Sequence, residues 1–268
     1  MLDMEFMRHA LLAGVLASVA LGIIGALVVV NRVVFVSGGI AHAAYGGVGL
    51  AIFLGVAPVL GAAAFTLAVA LVMAAITMRR QERTDAVIGV IWAVGMALGV
   101  IMVDLAPGYQ VDLMSYLFGS ILAVPAGDLW FMAALDLLTL VLLAVFHRQL
   151  AAMSFDEEFA RTRGVPVTVL RAGLMAFIAL AVVLIMRVVG LILVIALMTI
   201  PCHIVEGRCR SLMSMMAASV VLNAVFSLLG LWLSFRFDLA SGPSIIMVAG
   251  AAFFVVAAWD RLRARSGG

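Results

Sequence analysis

Phe35 to Gly55 reads FVSGGIAHAAYGGVGLAIFLG. The stretch holds no acidic residue, lysine or arginine. Its length suits the roughly 20 residues that a helix needs to cross a bilayer. Inside it stands one titratable ring, His42, with Gly38 and Gly39 before it and Gly46 and Gly47 after it. Counted from the polar turn at Asn31 and Arg32, His42 lies about ten residues in, roughly 15 Å at 1.5 Å per residue. That places it close to the bilayer midplane. An ionisable group at that depth marks a functional site by default. Two readings stand side by side. Either His42 is a neutral histidine bonded to a neighbouring helix, or it is a ligand for a cation, since imidazole suits zinc and iron and, less well, manganese. The glycines let backbones approach closely or let the helix break.

Working outward, the rest of the chain has the same character. Of its 268 residues 66% are hydrophobic and 11% charged, with a mean hydropathy of +1.29. Soluble domains carry roughly 45–50% apolar and about 25% charged residues. The chain is therefore expected to be an all-α polytopic membrane protein forming a single transmembrane domain over residues 1–268. Apolar runs predict nine spans near 11–30, 33–57, 59–78, 86–105, 129–146, 171–186, 189–206, 212–233 and 244–259. Leu113 to Val124 is apolar but too short to cross, which predicts a re-entrant half-helix covered by protein. No internal repeat is evident. The acidic start, MLDMEFMRHA, lacks the basic n-region of a signal peptide, and Leu11 to Val30 is expected to remain as a span.

All sixteen basic residues are arginine. A Walker A loop needs a lysine to reach the terminal phosphates, so this chain is not itself a P-loop ATPase. Its two cysteines, Cys202 and Cys209, form no disulfide framework. Arginine placement sets the orientation. With the C-terminus cytoplasmic, Arg32, Arg79, Arg80, Arg83, Arg148, Arg161, Arg163, Arg171, Arg208, Arg210, Arg261, Arg263 and Arg265 lie inside, while Arg8, Arg187 and Arg236 lie outside. The N-terminus is then outside. The polar connection His147–Arg171 is cytoplasmic, and within it Ser154 is expected to cap a short helix with Glu157 as its capping-box partner, ended by Gly164 and Pro166. That helix is either a docking element or an ordinary solvated loop.

Several stretches together resemble one family, the metal-ion ABC permeases that import zinc, manganese or iron(II). SGGIAHAAYGGVGLAIFLG is similar to the family's Gly-Asp-x-Leu-Ser-His-Ala stretch, and DAVIGVIWAVGMALGVIMV (Asp85–Val103) to its Asp-Thr-x-x-Gly-Ile segment. DLMSYLFGSILAV (Asp112–Val124) resembles its Tyr-Leu-Phe-Gly-Asn/Asp-Ile-Leu motif, and FDEEFARTRGVPV its Phe-Asp-x-Glu-x-Ala-x-x-x-Gly-x-Pro loop. VGLILVIALMTIP (Val189–Pro201) and SGPSIIM (Ser241–Met247) complete the order. The resemblance implies an ABC importer permease in the inner (plasma) membrane, not an enzyme. It implies a homodimer, two separate ATPase subunits that bind ATP, and an extracytoplasmic metal-binding protein; nucleic acid is not a partner. It implies no cofactor within this chain, the divalent metal being cargo. Phe155, Asp156, Glu157, Arg161 and Gly164 would belong to the coupling helix that meets the ATPase. His42 would bind the ion in transit, with Gly38, Gly39, Gly46 and Gly47 lining or breaking the path.

One departure stands out. The family has an aspartate one turn before the histidine, and this chain has Gly38 there. Cys202, His203 and Glu206 cluster after Pro201 as a compensating candidate, with His203 and Glu206 at i, i+3 on one face. A thiolate with imidazole would favour zinc over manganese. The alternative is a helix end where Glu206 pairs with Arg208 or Arg210. Asp136, mid-span, either neutralises Arg187 or binds a proton or cation. Two rival functions remain open: a permease of similar architecture for an organic metal chelate, such as a corrinoid or siderophore, and a secondary transporter that works without an ATPase.

Overall fold

The computed structural model describes residues 4–77, 84–107, 119 and 121–266. Its helices are α1 (Glu5–Val30), α2 (Val34–Phe53), α3 (Pro58–Thr77), α4 (Thr84–Leu105), α5 (Ala126–Phe155), α6 (Glu157–Thr162), α7 (Val167–Val189), α8 (Leu191–Glu206), α9 (Leu212–Phe237) and α10 (Ser241–Ser266). A single 3-10 turn, Ile121–Ala123, precedes α5. Among the described residues there is no strand.

Eight of these helices are long and apolar enough to cross a membrane: α1 to α5, α7, α9 and α10. The ninth expected span is α8, with 16 residues. At 1.5 Å per residue it covers about 24 Å, short of the roughly 30 Å hydrocarbon layer. Helix α5 runs past its expected end at 146 to Phe155, because HRQLAAMSF contains neither glycine nor proline to stop it. Most of the expected half-helix at 113–124 lies outside the described residues, as do Asp112, Arg79, Arg80 and Arg83.

The chain divides into two compact units. The first holds α1, the start of α5, α8, α9 and α10. Helix α1 is buried over most of its length because small residues let neighbours sit close. A Cβ at Gly22 would fall 2.7 Å from the Val220 backbone nitrogen, and one at Gly14 would stand 3.2 Å from Ser227 Cβ. Pro201 sits inside α8. Proline has no N–H, so the carbonyl four residues back loses its helical donor. That carbonyl is Leu197 O, and the buried Asn223 of α9 donates to it through Nδ2 at 3.0 Å. Gly190 (φ 86) separates α7 from α8, and Gly119 (φ 65) lies against the Val189–Gly190 backbone so closely that no Cβ fits. Helix α9 begins with a capping box between Ser211 and Ser214 and ends at Asp238 in the left-handed region.

The second unit holds α2, α3, α4, the end of α5, α6 and α7. Its centre is α2, buried on nearly every side by α3 and α4. Helices α3 and α4 by contrast turn large apolar side chains outward, among them Leu60, Val72, Val90 and Val94. Such an outer surface suits lipid or another apolar partner.

Candidate functional site

The second unit positions His42. Four glycines of α2, Gly39, Gly46, Gly47 and Gly49, let its neighbours reach its backbone. A Cβ at Gly39 would meet Ile88 Cγ2 at 2.6 Å and Met73 Cε at 2.9 Å. One at Gly46 would stand 2.8 Å from Gly95 O, and one at Gly47 2.7 Å from Gly61 O. Those positions are closed by packing. Gly38 differs: it is buried, yet a Cβ there would have nothing within 4 Å. The site that carries aspartate in the resembling family is thus an open space one turn before His42.

His42 itself is half-buried. Its ring stacks on the Trp92 indole of α4, with centroids 3.8 Å apart and planes 11° from parallel. Its Nδ1 is buried and has no hydrogen-bond partner among the described residues. The reading of His42 as a histidine bonded to a neighbouring helix therefore finds no bond at that nitrogen. A buried nitrogen left without a partner costs free energy on the order of 1–3 kcal/mol, and an in-plane lone pair of imidazole is a donor for a transition metal.

The second candidate group separates. Cys202 is fully buried, with its thiol directed at Gly22 O of α1, 3.9 Å away. His203 and Glu206 are exposed and face each other, Nδ1 to Oε2 at 3.4 Å. His203 also lies beside the Phe253 ring of α10. The alternative pairing of Glu206 with Arg208 or Arg210 is absent among the described residues. Arg208 instead grips both carboxylate oxygens of Asp260 at 2.6 and 2.7 Å and donates to Ile204 O, because α10 continues far enough to bring Asp260 alongside. Among the described residues no three His, Cys, Asp or Glu side chains converge as a metal group. Asp136 is buried on α5, and neither of its carboxylate oxygens has a hydrogen-bond partner among the described residues.

The connection after α5 forms a short helix, α6, with a different cap from the expected one. Asp156 is its N-cap, accepting from Phe159 N at 2.8 Å. Ser154 lies two residues too early, still within α5, where it accepts a hydrogen bond from Asn31 Nδ2 at 2.8 Å. Glu157 is paired with Arg161 at 2.8 Å and also with Arg171 of α7. The Arg161 hydrogen bond, helped by Arg171, holds the Glu157 carboxyl below the usual carboxylate range against a partial desolvation that pushes it up. Gly164 (φ 78) then turns the chain out of the helix, and Val165 N closes the turn on Ala160 O. Ala160 is buried, whereas Phe155 and Phe159 are exposed. The result is a braced surface helix presenting Phe159, with Phe155 exposed at the end of α5 just before it.

Sequence reading passed over Trp92 and Asn223. The signal for Trp92 was its place mid-span, away from the membrane interfaces where tryptophan concentrates. Asn223 was signalled by an amide in an apolar run.

The comparisons with known proteins agree with this architecture. The ABC 3 transport family matches residues 3–260. The chain is 48% identical over 97% of its length to an uncharacterized membrane protein of Synechocystis sp., of which it covers 92%. It is 31% identical to the manganese import system permease protein ScaB of Streptococcus gordonii, over 94% of this chain and 91% of that one. Among solved structures it is similar to PsaBC from Streptococcus pneumoniae in complex with Fab, with a TM-score of 0.84, 31% identity and coverage of 94% and 91%. With eight helices fit to cross a membrane and a family match over nearly its whole length, the chain belongs to the ABC 3 transport family, as a metal-ion ABC transporter permease and not an enzyme.

Proposed function

We propose that this permease imports a divalent transition metal, with His42 as the side chain that meets the ion in transit. The observation that carries the reading is His42 Nδ1, buried without a partner beside the open space at Gly38. Manganese is the metal named for the relative from Streptococcus gordonii, and it leads zinc and iron(II) as cargo here. A weak donor set suits transport, because an ion must leave as readily as it enters. Two copies of the chain would pair, so that two His42 rings and the glycine-rich faces of two α2 helices line one path. An extracytoplasmic metal-binding protein would deliver the ion. ATP would be hydrolysed on two separate ATPase subunits; α6 would seat Phe159 on them, and the end of α5 would seat Phe155, with Asp156, Glu157, Arg161 and Gly164 holding the shape of the turn and helix. The arginine distribution supports an outside N-terminus and a cytoplasmic C-terminus. Cys202 takes no part in the path in this reading, and His203 and Glu206 form at most a surface pair at the end of α8.

The test is metal retention. The purified permease is incubated with equal zinc, manganese and iron(II), washed, and its metal counted per protomer by mass spectrometry. His42→Ala should lose the metal that the wild-type protein holds. Gly38→Asp, placing a carboxylate in open space, should retain more. Equal retention by wild type and His42→Ala would move the site elsewhere.

A further inference from the structure

We propose that Trp92 is the positioning residue for His42, setting the affinity of the permease for its metal. The proposal rests on the reading of His42 as the metal donor. A metal-ligating histidine is ordinarily oriented through its other ring nitrogen, which donates to a carboxylate or a carbonyl. Nδ1 is the open donor of His42, and no hydrogen bond at that nitrogen fixes the ring among the described residues. Among the described residues the one close ring contact of His42 is the Trp92 face, 3.8 Å away and 11° from parallel. The lone pairs of imidazole lie in the ring plane, so a partner stacked on the face fixes the plane without occupying a donor atom. A hydrogen-bonding neighbour would occupy one.

Trp92 is itself held. Its Nε1–H donates to Met96 Sδ one turn along α4, at 3.1 Å. Below the stack, Ile88 fills the space over Gly39. Above it, Gly95 rests on Ala43, 3.0 Å from an added Cβ to the Ala43 Cα. Helix α4 is therefore pinned to α2 on both sides of the ring pair, which stops the indole from sliding off the imidazole. Leucine at position 92 would still fill apolar volume but would offer no flat face. The ring of His42 would then sample rotations that take its lone pair off the ion, and affinity would fall without loss of the fold.

The experiment uses the complete transporter, permease with its ATPase, in proteoliposomes, with Mn2+ as the probe. Trp92→Leu should raise the KM for uptake about 10-fold, the lower end for loss of an orienting partner, with the maximal rate unchanged. Trp92→Phe keeps a flat face and should restore the wild-type KM. A merely structural role would lower the amount of active protein, and hence the maximal rate, and leave KM alone. An unchanged KM in Trp92→Leu, alongside a raised KM or lost uptake in His42→Ala, overturns the proposal while sparing the reading of His42. Unchanged uptake in His42→Ala overturns both. If Trp92→Leu does not fold, Trp92→Met decides in the same assay: it fills apolar volume without a flat face, so a raised KM with an unchanged maximal rate upholds the proposal, and an unchanged KM overturns it.

Discussion

Helices α2 and α8 each set a histidine in apolar sequence, and each departs from a plain leucine-rich span, α2 through glycine and α8 through proline. They handle their polar groups in opposite ways. In α8 each such group is matched: Asn223 takes the carbonyl that Pro201 frees, the Cys202 thiol meets Gly22 O, and His203 faces Glu206. In α2 the backbone is fitted to its neighbours with no slack, yet His42 Nδ1 is left without a partner and Gly38 without a neighbour. The contrast teaches where to look for cargo. Groups that are already matched hold the fold, and a buried donor left open inside tight packing is available to a ligand.

Three experiments would break or sharpen this contrast. The largest effect is expected at Gly47. Leucine there must displace the α3 backbone, since even a Cβ would sit 2.7 Å from Ala62 Cα and Gly61 O. The cost should reach about 3 kcal/mol, the upper end for overpacking, read as lost thermal stability in detergent. Gly38→Ala, in open space, should instead gain about 0.5 kcal/mol from helix propensity alone. Equal effects at the two positions would deny that Gly38 is special. Next comes Asn223→Ala, which strands Leu197 O and should cost about 1–3 kcal/mol. In a Pro201→Ala background the helix supplies its own donor to that carbonyl, so the penalty of Asn223→Ala should shrink. Additive losses would show that Asn223 matters for some other reason.

The smallest effect lies outside the membrane, at Glu157. Its carboxyl is held below the ordinary value of 4.5, first by Arg161 and then by Arg171. A depressed value in the folded protein means that the pairs contribute fully above the ordinary value. Their contribution is lost as pH falls through the folded one. Amide-exchange protection of α6, corrected for intrinsic rates, should therefore hold at neutral pH and fall in acid. Glu157→Gln should show the reduced protection already at neutral pH, with no further fall on acidification. Protection in the wild-type protein that ignores acid would remove Glu157 from the brace.

Much of this molecule could be read along the chain. Hydropathy and the absence of lysine are properties of composition, and they placed the protein in the membrane and excluded a Walker A loop from this chain. Eight of the expected spans are helices of crossing length, because apolar runs bounded by Gly, Pro and arginine define a helix locally. The short helix after α5 was also legible, though its cap was not. Ser154 and Asp156 are both good caps, and only the continuation of α5 through Ser154 decides for Asp156. His42 was legible as an ionisable residue where none is expected.

Partner choice was decided in three dimensions. Neither the neighbours of Trp92 in sequence nor those of Asn223 point to His42 or to Leu197 O; the crossing of α2 with α4 and of α8 with α9 brings them together. Three polar-capable positions after Pro201, Cys202, His203 and Glu206, looked like one cluster, but successive residues on a helix point about 100° apart. Cys202 accordingly turns inward to Gly22 while His203 turns outward. The sequence by itself determined the solvent this protein lives in and where its helices run, since hydropathy and helix breaking act within one turn or one span. Tertiary structure alone decided which polar groups are matched and which donor stays open, since that depends on atoms brought close by helix crossing and not by the chain.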